Sequence, residues 1–378
     1  METLFAITAP GLERLAADEL RTAAVVPEDR AVLTFAGGAA IEGDTAALYR
    51  ANLLSRTASR VLVRLPTFHA AAFSELRKKA ARLSWERFLA PGRPLAVRAT
   101  CRGSKLYHSE AVAERVVAAV GDRLGIASPR VKPAGDDAED PAQLVLVRIV
   151  GDLCEASVDS SGALLHRRGY RLAVAKAPLR ETLAAGAILA SGWDRASPLL
   201  DPFCGSGTIP IEAGLLAQGL APGRNRRFAF MDWPCFDEAQ WRAISAEAAI
   251  RRAAPAPIIV GSDRDAGAIR TAGENAARAE VDRLVRFAQR AVSAIEPPAG
   301  LGWVVTNPPY GRRLGADRDL RDLYARLGDV LRERCAGWRV AILCSEVDLL
   351  RRTRLDLDTS LSFSHGGLRV RVGRGMIG

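Results

Sequence analysis

At 378 residues the chain is longer than one hydrophobic core usually organises, so two or three domains are expected. Its 48% hydrophobic and 25% charged residues, with no apolar run approaching bilayer length, read as an ordinary soluble protein and not a membrane-spanning one. The formal charge of +10 and pI near 9.8 suit a polyanionic partner, although the excess of arginine over lysine and the abundant alanine are also what GC-rich coding yields. The start, Met1-Glu2-Thr3-Leu4-Phe5, lacks the basic-then-apolar pattern of a secretory signal. Six scattered cysteines (Cys101, Cys154, Cys204, Cys235, Cys335, Cys344) form no CxxC pair, and the four histidines are dispersed. Reduced thiols, a cytoplasmic location and no metal site are expected.

In chain order, Leu4 to Ile7 reads as a strand, and a helix then starts near Gly11 with Leu12, Leu15, Ala16 and Leu20 on one face. Leu95 to Thr100 is a strand. His108 to Leu124 is a helix that buries Ala111, Val112, Val116, Ala119 and Val120. The run from Lys132 to Pro141 is a turn-rich loop, followed by strands around Leu144 to Val150 and Cys154 to Val158. The second half repeats a strand-then-helix rhythm, with short apolar runs at Pro198–Leu200, Ile258–Gly261, Val285–Ala288, Gly302–Val305 and Trp338–Leu343. Each ends at a polar or glycine position, as buried parallel strands do, so a doubly wound sheet is expected. Leu361 to Ser364, Gly366-Gly367 and Leu368 to Val372 read as a closing β-hairpin.

Four segments carry chemistry. Leu199 to Glu212 runs from an apolar strand through Asp201-Pro202-Phe203-Cys204-Gly205-Ser206-Gly207 into a helix at Thr208. Gly205 and Gly207 let the backbone bend and approach a ligand, and Asp201 can meet a ligand amino group directly or through water. The spacing is neither the GxGxxG of dinucleotide folds nor a phosphate loop. At the next strand's end, Asp263 can accept hydrogen bonds from both hydroxyls of a ribose, while Asp265 caps the helix from Ala266 to Ala279.

The most specific segment is Thr306-Asn307-Pro308-Pro309-Tyr310-Gly311. An amino group on a base ring is a poor nucleophile because its lone pair is delocalised. Hydrogen bonds from its protons to the Asn307 side-chain oxygen and the Pro308 carbonyl would favour the pyramidal, attacking geometry. The prolines fix that carbonyl, Pro309 included, and Tyr310 can stack on a base flipped out of its helix or loop.

The Asn-Pro-Pro-Tyr segment resembles the motif of enzymes that methylate exocyclic amino nitrogens of adenine, cytosine or guanine. Leu165 to Arg171, Ala177 to Ala185, Asp201 to Glu212 and Asn307 to Gly315 are similar to the THUMP-containing RNA guanine-N2 methyltransferases. Thr8 to Glu13 and Tyr49 to Leu53 match as well, and the family members most resembled are the RlmL-type 23S rRNA enzymes and their stand-alone bacterial homologues. The resemblance implies a ferredoxin-like segment over 1–65, which can interleave with an RNA-gripping THUMP domain over 44–160. It also implies a Rossmann-like class I methyltransferase domain over 161–378, its doubly wound sheet ending in an antiparallel hairpin.

S-adenosyl-L-methionine is the implied cofactor, held by Asp201, Phe203, Gly205, Ser206, Gly207, Thr208, Asp263 and Thr182. The implied substrate is a guanine in RNA, with rRNA preferred and tRNA possible; a DNA adenine-N6 or cytosine-N4 methyltransferase is the alternative. Class I enzymes often place an acid at the third strand's end for the cofactor adenine, and here Ala291 stands there. Either backbone contacts and packing hold the adenine, or the correspondence is shifted by a residue or two. Arg312 and Arg313 either hold phosphates beside the flipped base or begin a solvated helix. The segment from His166 to Arg171 either meets RNA through Arg171 or braces the domain junction. Arg102 and Lys105, with Arg98, Arg130 and Lys132, are candidate RNA contacts, each of which a solvated face also explains. With only 6% aromatics, the front half is expected to read backbone and shape, not stacked bases.

Overall fold

The computed structural model describes the chain apart from residues 24, 26, 28–29, 134, 136–141, 172–178, 251–255 and 312–316, and apart from the side chains of 317–319. The front half runs β1 (Glu2–Ile7), α1 (Glu13–Thr22), β2 (Val32–Phe35), β3 (Gly38–Gly43), α2 (Thr45–Leu54), β4 (Arg60–Arg64), β5 (Phe68–His69) and α3 (Phe73–Ala80). It continues with β6 (Leu95–Arg102), α4 (Ser109–Leu124), β7 (Arg130–Val131), β8 (Gln143–Val150) and β9 (Leu153–Asp159). These strands form one sheet in the order β2-β3-β1-β4-β9-β8-β6-β7, with β5 paired to β9. The alternation along each strand decides its faces. Leu4, Ala6, Ile41, Val61, Val63, Val145 and Val147 turn toward the helices in the large core. Phe5, Ala40 and Leu62 form a small cluster on the other face, where the Arg64 guanidinium sits 3.8 Å above the Phe5 ring.

The second half runs α5 (Glu181–Ala190), β10 (Leu199–Asp201), α6 (Thr208–Ala217), α7 (Glu238–Ala248), β11 (Ile259–Asp263), α8 (Ala266–Arg278) and β12 (Val285–Gln289). β13 (Trp303–Thr306), α9 (Asp317–Arg334), β14 (Arg339–Cys344), α10 (Val347–Arg352), β15 (Ser362–His365) and β16 (Leu368–Met376) complete it. The sheet order is β12-β11-β10-β13-β14-β16-β15. The strands from β10 to β14 pair in parallel, and β16 returns antiparallel against β14. Strand order reverses between β10 and β13, which opens a crevice beyond their carboxyl ends, the place where open α/β sheets bind ligands. The expected strands, hairpin and doubly wound topology are all present, with ends differing by one or two residues except at β16, which runs four residues past Val372 to Met376. Asp265 caps α8 as expected, accepting from the backbone N–H groups of Gly267 and Ala268. No helix among the described residues is long and apolar enough to cross a membrane.

The two halves share their cores. Between α6 and β11 the chain leaves the second sheet and buries Ala221, Phe228, Phe230, Trp233 and Ile244 in the core of the front half. Phe230 stacks on Tyr49 at 4.6 Å, and Trp233 meets Phe88 edge-on at 4.9 Å while donating to Gln143 Oε1 at 2.8 Å. In return, Leu12 of the front half lies in the core of the second. Gly11, at φ +102°, approaches β15 so closely that a Cβ there would fall 1.8 Å from the Ser362 carbonyl oxygen. A buried polar seam joins the halves as well: Arg168 donates to the Arg56 carbonyl, and Arg56 donates to the Leu220 carbonyl just past α6.

Candidate active site at the switch point

The carboxyl end of β10 and that of β13 are tied together across the crevice. The Thr306 hydroxyl donates to Asp201 Oδ1 at 2.6 Å, and the Phe203 backbone N–H reaches the same oxygen at 3.1 Å. Burial pushes the Asp201 carboxyl up to about 7 despite these donors, with the neighbouring Asp263 charge adding to the rise. Asp263, at the tip of β11, accepts from Gly205 N–H through one carboxylate oxygen and from Asp265 N–H through the other, each at 3.0 Å. One acid therefore fixes the glycine turn, and its remaining lone pairs are available to hydroxyl donors.

The two glycines of that turn serve different needs. Gly205 has φ +50° and open space where a Cβ would stand. Gly207 has φ +87°, and a Cβ there would come within 2.9 Å of the Phe287 ring and 3.0 Å of Ala272. Gly205 thus keeps the ligand side clear, while Gly207 lets α6 pack against its neighbours. Asn275 of α8 holds the Ser206 carbonyl at 3.0 Å. Thr208 begins α6, and its hydroxyl accepts from Arg171. Phe203 is partly buried against the second-half core on the α9 side.

Beyond β13, the Asn307 side-chain oxygen is buried and has no hydrogen-bond partner among the described residues. Leaving such an acceptor unpaired costs roughly 1–3 kcal/mol, so its placement at the crevice points to a donor supplied by a ligand. Pro308 is buried and Pro309 half-buried beside it. Tyr310 packs at the boundary between the two cores that flank the sheet. Gly311 ends the segment at φ +79°, its N–H donating to Glu346 Oε1 at 3.0 Å.

Other candidate residues are placed elsewhere. Arg171 has a side chain only 12% exposed, pairs with Glu181 at 3.5 Å and donates to Thr208 and to the Leu179 carbonyl. It braces the start of α6 and presents no free face for RNA. Thr182 is buried in the first turn of α5, which packs on α6 and β14. Arg102 and Lys105 are exposed at and just beyond the end of β6, far along the front sheet from the crevice. Arg312 and Arg313, like Ala177 and Pro178 of the resemblance segment and most of the 132–141 loop, lie outside the described residues. Ala291 follows β12 as the residue before a short 3₁₀ turn at Val292–Ala294. Two residues escaped sequence reasoning. Thr306 was legible as a hydroxyl next to Asn307 on a strand beside Asp201, whereas Glu346 had no signal because its partner Gly311 is 35 residues away. A cavity of about 710 Å³ between α1, α2 and α7 is lined by none of the crevice residues and has no part in the site.

An acid at each of two strand tips, an open glycine turn and an orphaned acceptor fit a ligand that carries a cation and vicinal hydroxyls beside a second, amino-bearing ligand. Residues 168–363 match the family model described as RMKL-like, methyltransferase domain. The chain belongs to the RMKL-like methyltransferase family. Residues 3–62 of this family member match the RlmL ferredoxin-like domain, and residues 70–159 match the THUMP domain. It is 37% identical, over 96% of its length and 94% of the relative's, to a Synechocystis sp. protein named as a candidate RNA methyltransferase. It is 39% identical to the ribosomal RNA large subunit methyltransferase K/L of Syntrophotalea carbinolica over 97% of its own length, and spans only about half, 53%, of that relative. Among solved structures, SMU.472, a candidate methyltransferase complexed with SAH, superposes with a TM-score of 0.87 at 27% identity, covering 99% of this chain and 98% of that one.

Proposed function

We propose that the chain transfers a methyl group from S-adenosyl-L-methionine to the exocyclic N2 amino group of a guanine in RNA, with 23S rRNA as the first substrate to test. The observation that carries the amino-group reading is the unpartnered Asn307 oxygen at the mouth of the crevice. The names of the K/L relatives support rRNA, and the sequence resemblance supports guanine N2. Asp201, Phe203, Gly205, Ser206, Gly207, Thr208, Thr182 and Asp263 would hold the cofactor. Asp263 would take its hydroxyls, and Asp201 would balance positive charge.

When bound, S-adenosyl-L-methionine supplies an electrophilic methyl group on a sulfonium. Asn307 Oδ1 and the Pro308 carbonyl accept hydrogen bonds from the two amino N–H groups, drawing the nitrogen lone pair out of the ring and aiming it at the crevice, and the methylated nitrogen then releases one of these protons to solvent. Tyr310 gives the base a surface to stack on. The rate gain comes from orientation and fixed dipoles, with no covalent enzyme intermediate.

In Asn307→Ala, methyl transfer to rRNA is expected to fall about 100-fold or more, while cofactor affinity stays within about twofold. Tritium transfer and calorimetry check the two parts, and normal turnover by the variant would sink this reading. The same labelled assay, run with rRNA, tRNA and duplex DNA and followed by nucleoside identification, separates the substrate classes.

A further inference from the structure

Guanine differs from adenine and cytosine along the edge that bears the reacting amino group. Beside N2 it carries a second donor, N1–H, whereas adenine N1 and cytosine N3 hold a lone pair at the corresponding place. An acceptor with no donor of its own therefore welcomes guanine and repels the other two. The Asn-Pro-Pro-Tyr segment cannot make this choice, because all three bases present the same amino group to Asn307.

Glu346 is a carboxylate tied to the end of the segment that carries Asn307. β13 and β14 run parallel, with Thr306 opposite Ile342, so the segments carrying Asn307 and Glu346 leave the sheet side by side. Glu346 Oε1 is anchored by the Gly311 N–H at 3.0 Å, which clamps the carboxylate to the end of the catalytic segment. The Glu346 backbone is fixed too, its N–H donating to Cys344 Sγ at 3.3 Å and its carbonyl accepting from Leu349 N–H at 3.2 Å. Oε2 has no hydrogen-bond or ion-pair partner among the described residues, and the side chain is exposed. It borders a cavity of about 480 Å³ shared with Arg321, Asp348, Arg351 and Arg352, in which Asp348 pairs with Arg351 at 2.9 Å. Arg321 and Arg352, on its rim, suit a phosphate of the same nucleotide.

We propose that Glu346 selects guanine, its free carboxylate oxygen accepting N1–H of the base whose N2 amino group lies against Asn307. This inference rests on the guanine-N2 reading. The test uses two synthetic RNA hairpins built around the guanine that the wild-type protein is mapped to methylate. One keeps guanine, and the other carries 2-aminopurine, which retains the N2 amino group but has a lone pair at N1. The wild-type protein is expected to favour guanine by about 100-fold or more in kcat/KM.

Glu346→Gln keeps an oxygen for the Gly311 N–H and offers an amide N–H to N1 of 2-aminopurine. Its guanine turnover is expected to fall about tenfold or more, its 2-aminopurine turnover to rise, and the ratio to collapse. Glu346→Asp, shorter but still an anion, is expected to lose guanine turnover while continuing to reject 2-aminopurine. Unchanged S-adenosyl-L-methionine affinity by calorimetry shows that each variant is folded. Equal fold losses on both hairpins would overturn the proposal and leave Glu346 as a brace for Gly311. Methylation of adenine or cytosine by the wild-type protein would overturn the guanine reading itself, and it would be visible before any variant is made.

Discussion

Burial pushes the Asp201 carboxyl up to about 7, and in the proposed cofactor site this sets an expected pH dependence. Below about pH 4 the carboxyl is protonated in both the folded and the unfolded chain and contributes nothing. Between there and about 7 the unfolded chain has released a proton that the folded chain retains, so stability falls as pH rises through this window. A cationic ligand reverses the preference, since it favours the carboxylate. S-adenosyl-L-methionine affinity is therefore expected to climb from pH 5.5 to about 7 and then level off, with proton release on the acid side. Calorimetry in buffers of different ionisation enthalpy measures both, and Asp201→Asn is expected to flatten the profile. An affinity that does not change with pH in the wild-type protein would mean that Asp201 does not face the ligand's positive charge. The residue scale also shows what a sequence withholds. Asn307 and Asp263 could be picked out because a strand end and a motif coincide there. Arg171 stayed between an RNA contact and a bracing role, because its partners Glu181 and Thr208 begin two different helices whose meeting is a tertiary fact.

Among the elements, the parallel strands were legible because each is a short apolar run closed by a polar or glycine residue. The segment between α6 and α7 was not. Phe228, Phe230, Trp233 and Phe236 follow neither a helical nor a strand period, so their spacing assigns them to no element of the strand-then-helix rhythm. Their spacing answers to the ring of Tyr49, nearly half the chain away, with which Phe230, Phe236 and Trp241 all pack. Aromatic density in a chain otherwise poor in aromatics was the available signal. Phe230 is fully buried, so Phe230→Ala is expected to cost about 3–5 kcal/mol, although the residue lies far from the crevice. Because it belongs to the core of the other half, the loss is expected to lower one shared melting transition without splitting it in two. Differential scanning calorimetry distinguishes these outcomes, and two separate transitions would show that the halves unfold independently.

For the whole molecule, the charge of +10 overstates the surface available to a polyanion. Arg56 and Arg168 are buried. Arg226, whose guanidinium donates to the carbonyls of Ser161, Ala163, Leu164 and Arg167, is committed to the interior as well. Composition therefore signalled a nucleic-acid partner partly through residues that cannot touch one. Arg102 and Lys105 are exposed and remain available, so they carry the proposed front-half contact with RNA. If each neutralises one phosphate, Arg102→Ala and Lys105→Ala should each lower the slope of log affinity against log salt by about one, leaving cofactor binding untouched. Filter binding of 23S rRNA fragments at several salt concentrations reads this directly, and an unchanged slope would remove these residues from the interface.

The exchange of core residues between the halves, Leu12 passing one way and Phe230 with Trp233 the other, has a consequence for target choice. Two modules joined by a free linker would sample many separations, and an RNA gripped by one could offer any of several nearby bases to the other. A chain pinned at both ends of its junction behaves as a caliper with a locked jaw. On the proposed function, the span from the anchoring point to the methyl donor would then be constant, and the base modified would be the one that lies at that distance along the folded RNA.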